Sequence, residues 1–123
     1  MRRDNPFRIL LSEARGSLPR QCELFALVNL GLVQSLASGM LSVTEAVERF
    51  YHADNCLYVR KHFRSREADA IMSHGVQLPD LFDCLPPDEA RPQFYHELET
   101  MQTLCLKLLE KGRSRHVAER ATG

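Results

Sequence analysis

The feature that most constrains the fold of this chain is an apolar segment, residues 24–36, whose large side chains cover nearly the whole circumference of a helix. The segment is interrupted by Asn29 and Gly31, and it is shorter than the roughly 20 apolar residues that span a bilayer. A helix that is hydrophobic on every side is normally buried at the centre of a domain. We therefore predict a buried central helix at about residues 19–38, with these apolar positions: Leu24, Phe25, Leu27, Val28, Leu30, Leu32, Val33 and Leu36.

Capping signals predict two more helices in the first half of the chain. Asn5 followed by Pro6 is typical of a helix start, and we expect a short first helix that ends before Gly16. Ser42 and Glu45 form a capping box, which predicts that a helix begins at about residue 43. Its apolar face weakens after Phe50, so this helix either bends near residues 54–55 or continues past the core.

The second half of the chain predicts two helices and a long connection. We expect a shorter helix from about Arg66, ended by Gly75, and then a proline-punctuated loop at residues 76–87 with one helical turn. The last helix has the most regular pattern and is expected to end at Gly112. Its apolar positions are Phe94, Leu98, Met101, Cys105, Leu108 and Leu109.

The fold class predicted from these patterns is all-α. No stretch alternates apolar and polar residues for long enough to indicate a strand. With 123 residues and 44% hydrophobic composition, the chain can build one core but not two. We predict a single compact bundle of five or six helices in residues 1–112, followed by a polar, frayed tail in residues 113–123.

Charge and cysteine content restrict the classes of function. Sixteen basic and sixteen acidic residues cancel, so no overall field attracts nucleic acid or an anionic membrane. The four cysteines are dispersed without a C-x-x-C pair, which argues against a zinc ribbon and favours free thiols in a reducing compartment. We predict a cytoplasmic protein that has no membrane partner.

One phrase occurs twice, 44 residues apart: Glu-Ala, three variable residues, then Phe-Tyr-His, ending at His52 and at His96. Glu48 precedes His52 by four positions, and Glu99 follows His96 by three, so each pair shares a helix face as in carboxylate metal sites. On a continuous helix, however, both histidines point away from the apolar stripe. We predict no metal or cofactor, and keep a site made by His52, His96, Glu48 and Glu99, with Asp54 nearby, as an alternative.

The tyrosine of the first phrase indicates a surface for protein binding. If the helix that begins at about residue 43 continues, Tyr51, Asn55, Tyr58 and His62 line one flank beside the apolar stripe. Tyrosine supplies apolar area and a hydroxyl together, which suits a partner surface. Coverage of this flank by another helix of the same chain is the competing interpretation.

A basic cluster offers a third hypothesis. Arg60, Lys61, Arg64 and Arg66 form a patch that favours nucleic acid, but acidic residues follow closely in the next helix and would repel phosphate.

No nucleophile motif, phosphate loop or zinc-protease motif occurs, so we predict no catalytic residues. The function that these observations favour is a helical interaction or regulatory module, which binds a protein partner or self-associates. A metal-binding or nucleic-acid-binding protein is the alternative.

Overall fold

The computed structural model describes the backbone of residues 18–122 and the side chains of residues 18–112. Five helices and no strand occur in this part of the chain, so the prediction of an all-α bundle is confirmed. The short helix predicted between Asn5 and Gly16 lies outside the described residues. The five helices are α1 (Leu18–Ala37), α2 (Val43–Arg49), α3 (Ala53–Phe63), α4 (Arg66–Cys84) and α5 (Pro87–Thr122).

The core forms where α5 packs against both α1 and α4. Helix α5 supplies five of the six residues of the predicted stripe as buried side chains, and the sixth, Leu109, is half-buried: the five are Phe94, Leu98, Met101, Cys105 and Leu108. Helices α2 and α3 pack mainly against α4 and close the remaining side of the bundle.

Helix α1 buries one face rather than its whole circumference. Its buried side chains are Phe25, Ala26, Asn29, Leu32, Val33 and Leu36. Leu27 lies on the opposite face and is 55% exposed, so the prediction that every apolar side of this helix is buried is wrong at this position. No helix within residues 18–122 is long and apolar enough to cross a membrane.

The helix that begins at Val43 breaks after two turns. Ser42 caps it as predicted, because the Ser42 hydroxyl accepts a hydrogen bond from the Glu45 backbone N–H at 3.1 Å. Helix α2 ends at Arg49, and the backbone N–H groups of both Phe50 and Tyr51 donate to the Ala46 carbonyl. The break therefore falls at residues 50–52, before the position that the sequence suggested for a bend.

Helix α4 continues past the point where the sequence predicts its end. Ser65 caps it through a hydrogen bond from Ala68 N–H, which matches the predicted start, but the helix then passes Gly75 and Pro79 and ends at Cys84. Gly75 is buried and faces the ring of Tyr51, so this glycine permits close packing and does not end the helix. The loop predicted for residues 76–87 is therefore wrong.

Helix α5 is longer at both ends than its apolar stripe indicates. It begins at Pro87, where proline is well accommodated because the first helical N–H groups have no partner within the helix. It passes through Pro92 and Gly112 and extends to Thr122, so the predicted helix end at Gly112 is wrong.

Candidate functional site

Tyr51, the first residue of the predicted binding flank, lies inside the core. Its side chain is fully buried, and its hydroxyl donates to Oδ1 of Asn29 at 2.8 Å. The Asn29 amide in turn donates to the Phe25 carbonyl at 2.9 Å, so the buried polar groups of both side chains are paired. Burial, with a smaller contribution from the neighbouring Cys105, raises the pKa of Tyr51 and keeps its hydroxyl protonated.

The helix break explains why Tyr51 points inward. Projection along an uninterrupted helix places Tyr51 at the edge of the apolar stripe, but α2 ends at Arg49 and α3 begins at Ala53. Between them His52 has extended backbone, and its Nδ1 accepts a hydrogen bond from Asn55 N–H at 3.4 Å. The chain therefore changes direction at Tyr51, and its ring contacts Gly75 of α4.

The other three residues of the flank also bind within the chain. Asn55 is fully buried and donates to the Phe50 carbonyl at 2.9 Å. The half-buried ring of Tyr58 stacks on His62 at 5.0 Å, and Nε2 of His62 lies 2.7 Å from the side-chain oxygen of Gln21 in α1. Tyr51 and Asn55 are buried, so the four residues do not form a common exposed surface. Tyr51 contacts α1 and α4, and His62 joins α3 to α1.

The residues of the alternative metal site are not gathered in the structure. His52 caps α3, while Glu48, His96 and Glu99 are exposed on α2 and α5, as is Asp54 in the first turn of α3. No group of three or more His, Cys, Asp or Glu side chains within residues 18–112 is close enough to hold a metal ion.

The basic cluster is partly paired with carboxylates. Nε of Arg60 lies 3.1 Å from Oδ1 of Asp69, while Lys61 is exposed at the end of α3. Arg64 has a left-handed backbone conformation with φ of 48° and ends α3, and Arg66 begins α4. Because Glu67 and Asp69 lie in the first turn of α4, the field at this end of the helix is mixed and does not favour a polyanion.

A cleft of about 370 Å³ lies beside this cluster, between the start of α1, the α3–α4 junction and the last described side chains of α5. Lys111 and Glu67 both line the cleft, and Nζ of Lys111 donates to Oε1 of Glu67 at 2.5 Å. The hydrogen bond from Lys111 is the main reason that the pKa of Glu67 is lowered. Because the Lys111 ammonium and the Glu67 carboxylate are paired with each other, neither presents an unpaired charge to a ligand in the cleft.

A hydrogen-bonded pair between α4 and α5 is not indicated by the sequence. Nδ1 of His74 lies 2.6 Å from Oε2 of Glu97, and Gln93 donates to the other oxygen of Glu97 at 3.2 Å. In the tautomer that carries the proton on Nδ1, His74 donates this hydrogen bond and the carboxylate accepts it. Both oxygens of Glu97 are engaged, and the arrangement holds the two helices in register.

Cys105 is buried and Cys56 is half-buried. Burial raises the pKa of Cys105 to about 12, and burial also raises the pKa of Cys56. A protonated thiol is a poor nucleophile. Cys56, Cys84 and Cys105 are free thiols.

The surface with the chemistry best suited to binding lies where α4 and α5 meet. Phe82 is 48% exposed and Tyr95 is 42% exposed, and both rings contact the buried ring of Phe94, with centroid distances of 5.3 and 5.4 Å. We call Phe82, Phe94 and Tyr95 the aromatic patch.

The aromatic patch is flanked by acidic residues. Within residues 80–95 four carboxylates are exposed, Asp80, Asp83, Asp88 and Glu89, and they outnumber the one basic residue of this stretch, the exposed Arg91. Helix α4 also ends here, at Cys84, and has no basic residue in its last turn, so its carbonyl end adds partial negative charge.

Sequence reasoning placed Phe82 in a single helical turn, Asp80 to Cys84, within a connecting loop, and therefore missed the aromatic patch. The available signal was Tyr95: on the last helix, projection places Phe94 in the core, Tyr95 at its boundary and His96 outward, and the structure agrees at all three positions.

The chain matches no protein-family model, no curated protein sequence and no solved structure.

Proposed function

We propose that this chain is a helical protein-interaction module that binds a cationic, amphipathic segment of another protein through the aromatic patch. The observation that carries the proposal is the exposure of Phe82 and Tyr95, two large rings held against one buried ring. Partly exposed aromatic residues on a rigid support are typical anchors of protein interfaces. The support here is rigid because Phe94 belongs to the main core.

The acidic flank determines the chemistry of the partner. A binding segment that places Lys or Arg beside Asp80, Asp83, Asp88 and Glu89 gains attraction, whereas an acidic segment is repelled. An apolar face on the same segment covers the two exposed rings. A short basic amphipathic helix satisfies both requirements.

The cellular location belongs to the same proposal. Free thiols at Cys56, Cys84 and Cys105, of which Cys84 is exposed, suit a reducing compartment such as the cytoplasm. A protein that binds there through one surface, without any catalytic constellation in its described residues, fits a regulatory or adaptor role.

The proposal is tested with a fluorescent peptide in which Leu and Lys repeat at helical spacing, so that one face is apolar and the other is cationic. A scrambled peptide of the same composition is the peptide control. We expect saturable binding by fluorescence anisotropy, weakened at least about tenfold, or about 1.4 kcal/mol, by Phe82→Ala or Tyr95→Ala. Leu106→Ala is the matched protein control, since Leu106 is 45% exposed on α5 and lies outside the aromatic patch.

The acidic flank is tested separately. Asp83→Asn combined with Asp88→Asn should slow association and reduce its dependence on salt, because these carboxylates steer the cationic peptide. Glu48→Gln combined with Glu110→Gln removes the same charge from exposed positions elsewhere and should leave association unchanged. Equal binding by wild type, Phe82→Ala and Leu106→Ala, or no preference over the scrambled peptide, contradicts the proposal.

A further inference from the structure

The outward face of α1 is apolar and has no cover among the described residues. Leu27, at the centre of this face, is 55% exposed, and Met40, in the turn after the helix, is 84% exposed. Leu24 and Leu30 flank Leu27 and are each half-buried. Gly31 stands one turn beyond Leu27, and a Cβ added there would meet no atom within 4 Å.

This face also lacks charge over an unusual length. In a chain where 26% of residues are charged, none of the residues from 24 to 44 is Asp, Glu, Lys or Arg. The exposed polar side chains of this stretch are neutral, and the longest of them is Gln34. Solvent-facing helix surfaces normally carry charged residues, so the pattern is that of a helix covered on both sides.

We infer that the outward face of α1 is covered by the same face of a second copy of this chain. A partner with charged groups would have to bury them against Leu24, Leu27 and Leu30 without compensation, which is costly. A second copy brings a surface that is equally free of charge. A twofold arrangement makes the contact self-complementary, because each residue meets its counterpart or a neighbour of that counterpart.

Two residues fit a twofold axis in the C-terminal half of α1. Gly31 has no side chain and open space beside it, so the backbones of two helices can approach closely where they cross. Gln34 lies one turn further along the same face, and its amide both donates and accepts, so that two copies of Gln34 can pair. Leu27 then packs beside Gly31 of the second copy.

The length of the helix sets the strength of the association. A helix of 20 residues is about 30 Å long, so a single helix pair gives an interface at or below the small end of specific complexes. We expect a reversible dimer with a dissociation constant on the order of micromolar, not a permanent one. The contact does not involve the aromatic patch on α4 and α5, and it does not depend on the function proposed above.

Sedimentation velocity over a wide concentration series tests the inference on the full chain. Wild type should shift from monomer to dimer with concentration. Leu27→Asp should weaken the dimer at least about tenfold, because it places a carboxylate in the apolar contact. Leu106→Asp is the matched control, since it makes the same substitution at a leucine with similar exposure, 45%, and should leave the dimer intact.

A second variant guards against effects on folding. Gln34→Glu changes an exposed residue to one with good helix propensity, and it should also weaken the dimer by opposing two carboxylates across the twofold axis. Circular dichroism checks that each variant is folded. The inference is overturned if the wild type stays monomeric throughout the concentration series. It is also overturned if Gln34→Glu and folded Leu27→Asp both leave the dimer unchanged.

Discussion

Two glycines within helices should respond in opposite directions to the same substitution. Gly31 lies on the open face of α1, where an added Cβ meets nothing within 4 Å. Gly75 lies inside α4, where an added Cβ would stand 2.5 Å from two carbons of the Tyr51 ring and 2.8 Å from a third. Alanine is favoured over glycine in a helix by about 0.8–1.0 kcal/mol, and this gain applies to both positions.

The magnitude for Gly75→Ala follows from the packing around Tyr51. Overpacking a well-filled core costs about 1–3 kcal/mol, and we take the upper value because the Tyr51 ring is fully buried and tied to Asn29 through its hydroxyl. After subtraction of the helix gain, the free energy of unfolding should fall by about 2 kcal/mol. Gly31→Ala should raise it by about 1 kcal/mol.

Urea unfolding followed by far-ultraviolet circular dichroism measures both changes. The protein concentration is kept low so that self-association does not add to the free energy of unfolding. An unchanged slope of that free energy against urea concentration shows that the substitution has not altered the surface exposed on unfolding. If Gly75→Ala is as stable as wild type or more stable, Tyr51 does not pack on Gly75, and the inward turn at residues 50–52 is refuted.

Three further predictions follow from the buried and paired groups. Tyr51→Phe should lower the free energy of unfolding by about 1–3 kcal/mol in urea titrations, because it leaves the buried Asn29 oxygen without its donor; no change would contradict the pairing. Lys111 lowers the pKa of Glu67 in the folded state, so this pair stabilises the fold fully above the ordinary glutamate pKa of about 4.3. The stabilisation is lost as the pH falls through the lowered pKa of Glu67 in the folded state. Glu67→Gln should therefore reduce the slope of the free energy of unfolding against pH in that acidic range. Cys105 is fully buried, with a pKa of about 12, and mass spectrometry should find it unmodified by iodoacetamide at neutral pH until urea unfolds the chain.

The parts of the fold that were predicted correctly are those set by local chemistry. Ser42 marks the start of α2 because its hydroxyl accepts from the backbone three residues later, and this requirement can be read from the capping box. The apolar stripe of α5 is equally readable, since its spacing alone places Phe94, Leu98 and Met101 on one face.

The parts that were missed depend on contacts distant in sequence. Gly75 resembles a helix end, but its function is to admit the ring of Tyr51, which lies 24 positions earlier in the chain. Tyr51 resembles a surface residue only if its helix is continuous, and its hydroxyl partner Asn29 belongs to another helix. Neither partner is indicated by local pattern, so the burial of Tyr51 within the site predicted at Tyr51, Asn55, Tyr58 and His62 could not be foreseen.

The aromatic patch was missed for a related reason. Pro79 and Pro86 indicate a loop, and the single helical turn predicted within it, Asp80 to Cys84, has no predicted packing partner, so Phe82 could not be placed beside Phe94. Once α4 extends to Cys84, Phe82 and Phe94 come together where α4 and α5 meet.

The central claim is that Phe82 and Tyr95, flanked by carboxylates, bind a cationic amphipathic segment. Titration of the isotope-labelled full chain with the Leu-Lys peptide, followed by amide chemical shifts in nuclear magnetic resonance, tests it most directly. We predict that the largest saturable shifts fall at residues 80–95, with little change around Tyr51 or Lys61. Shifts centred on α1 or α3, or none at peptide concentrations that saturate binding, would contradict the account.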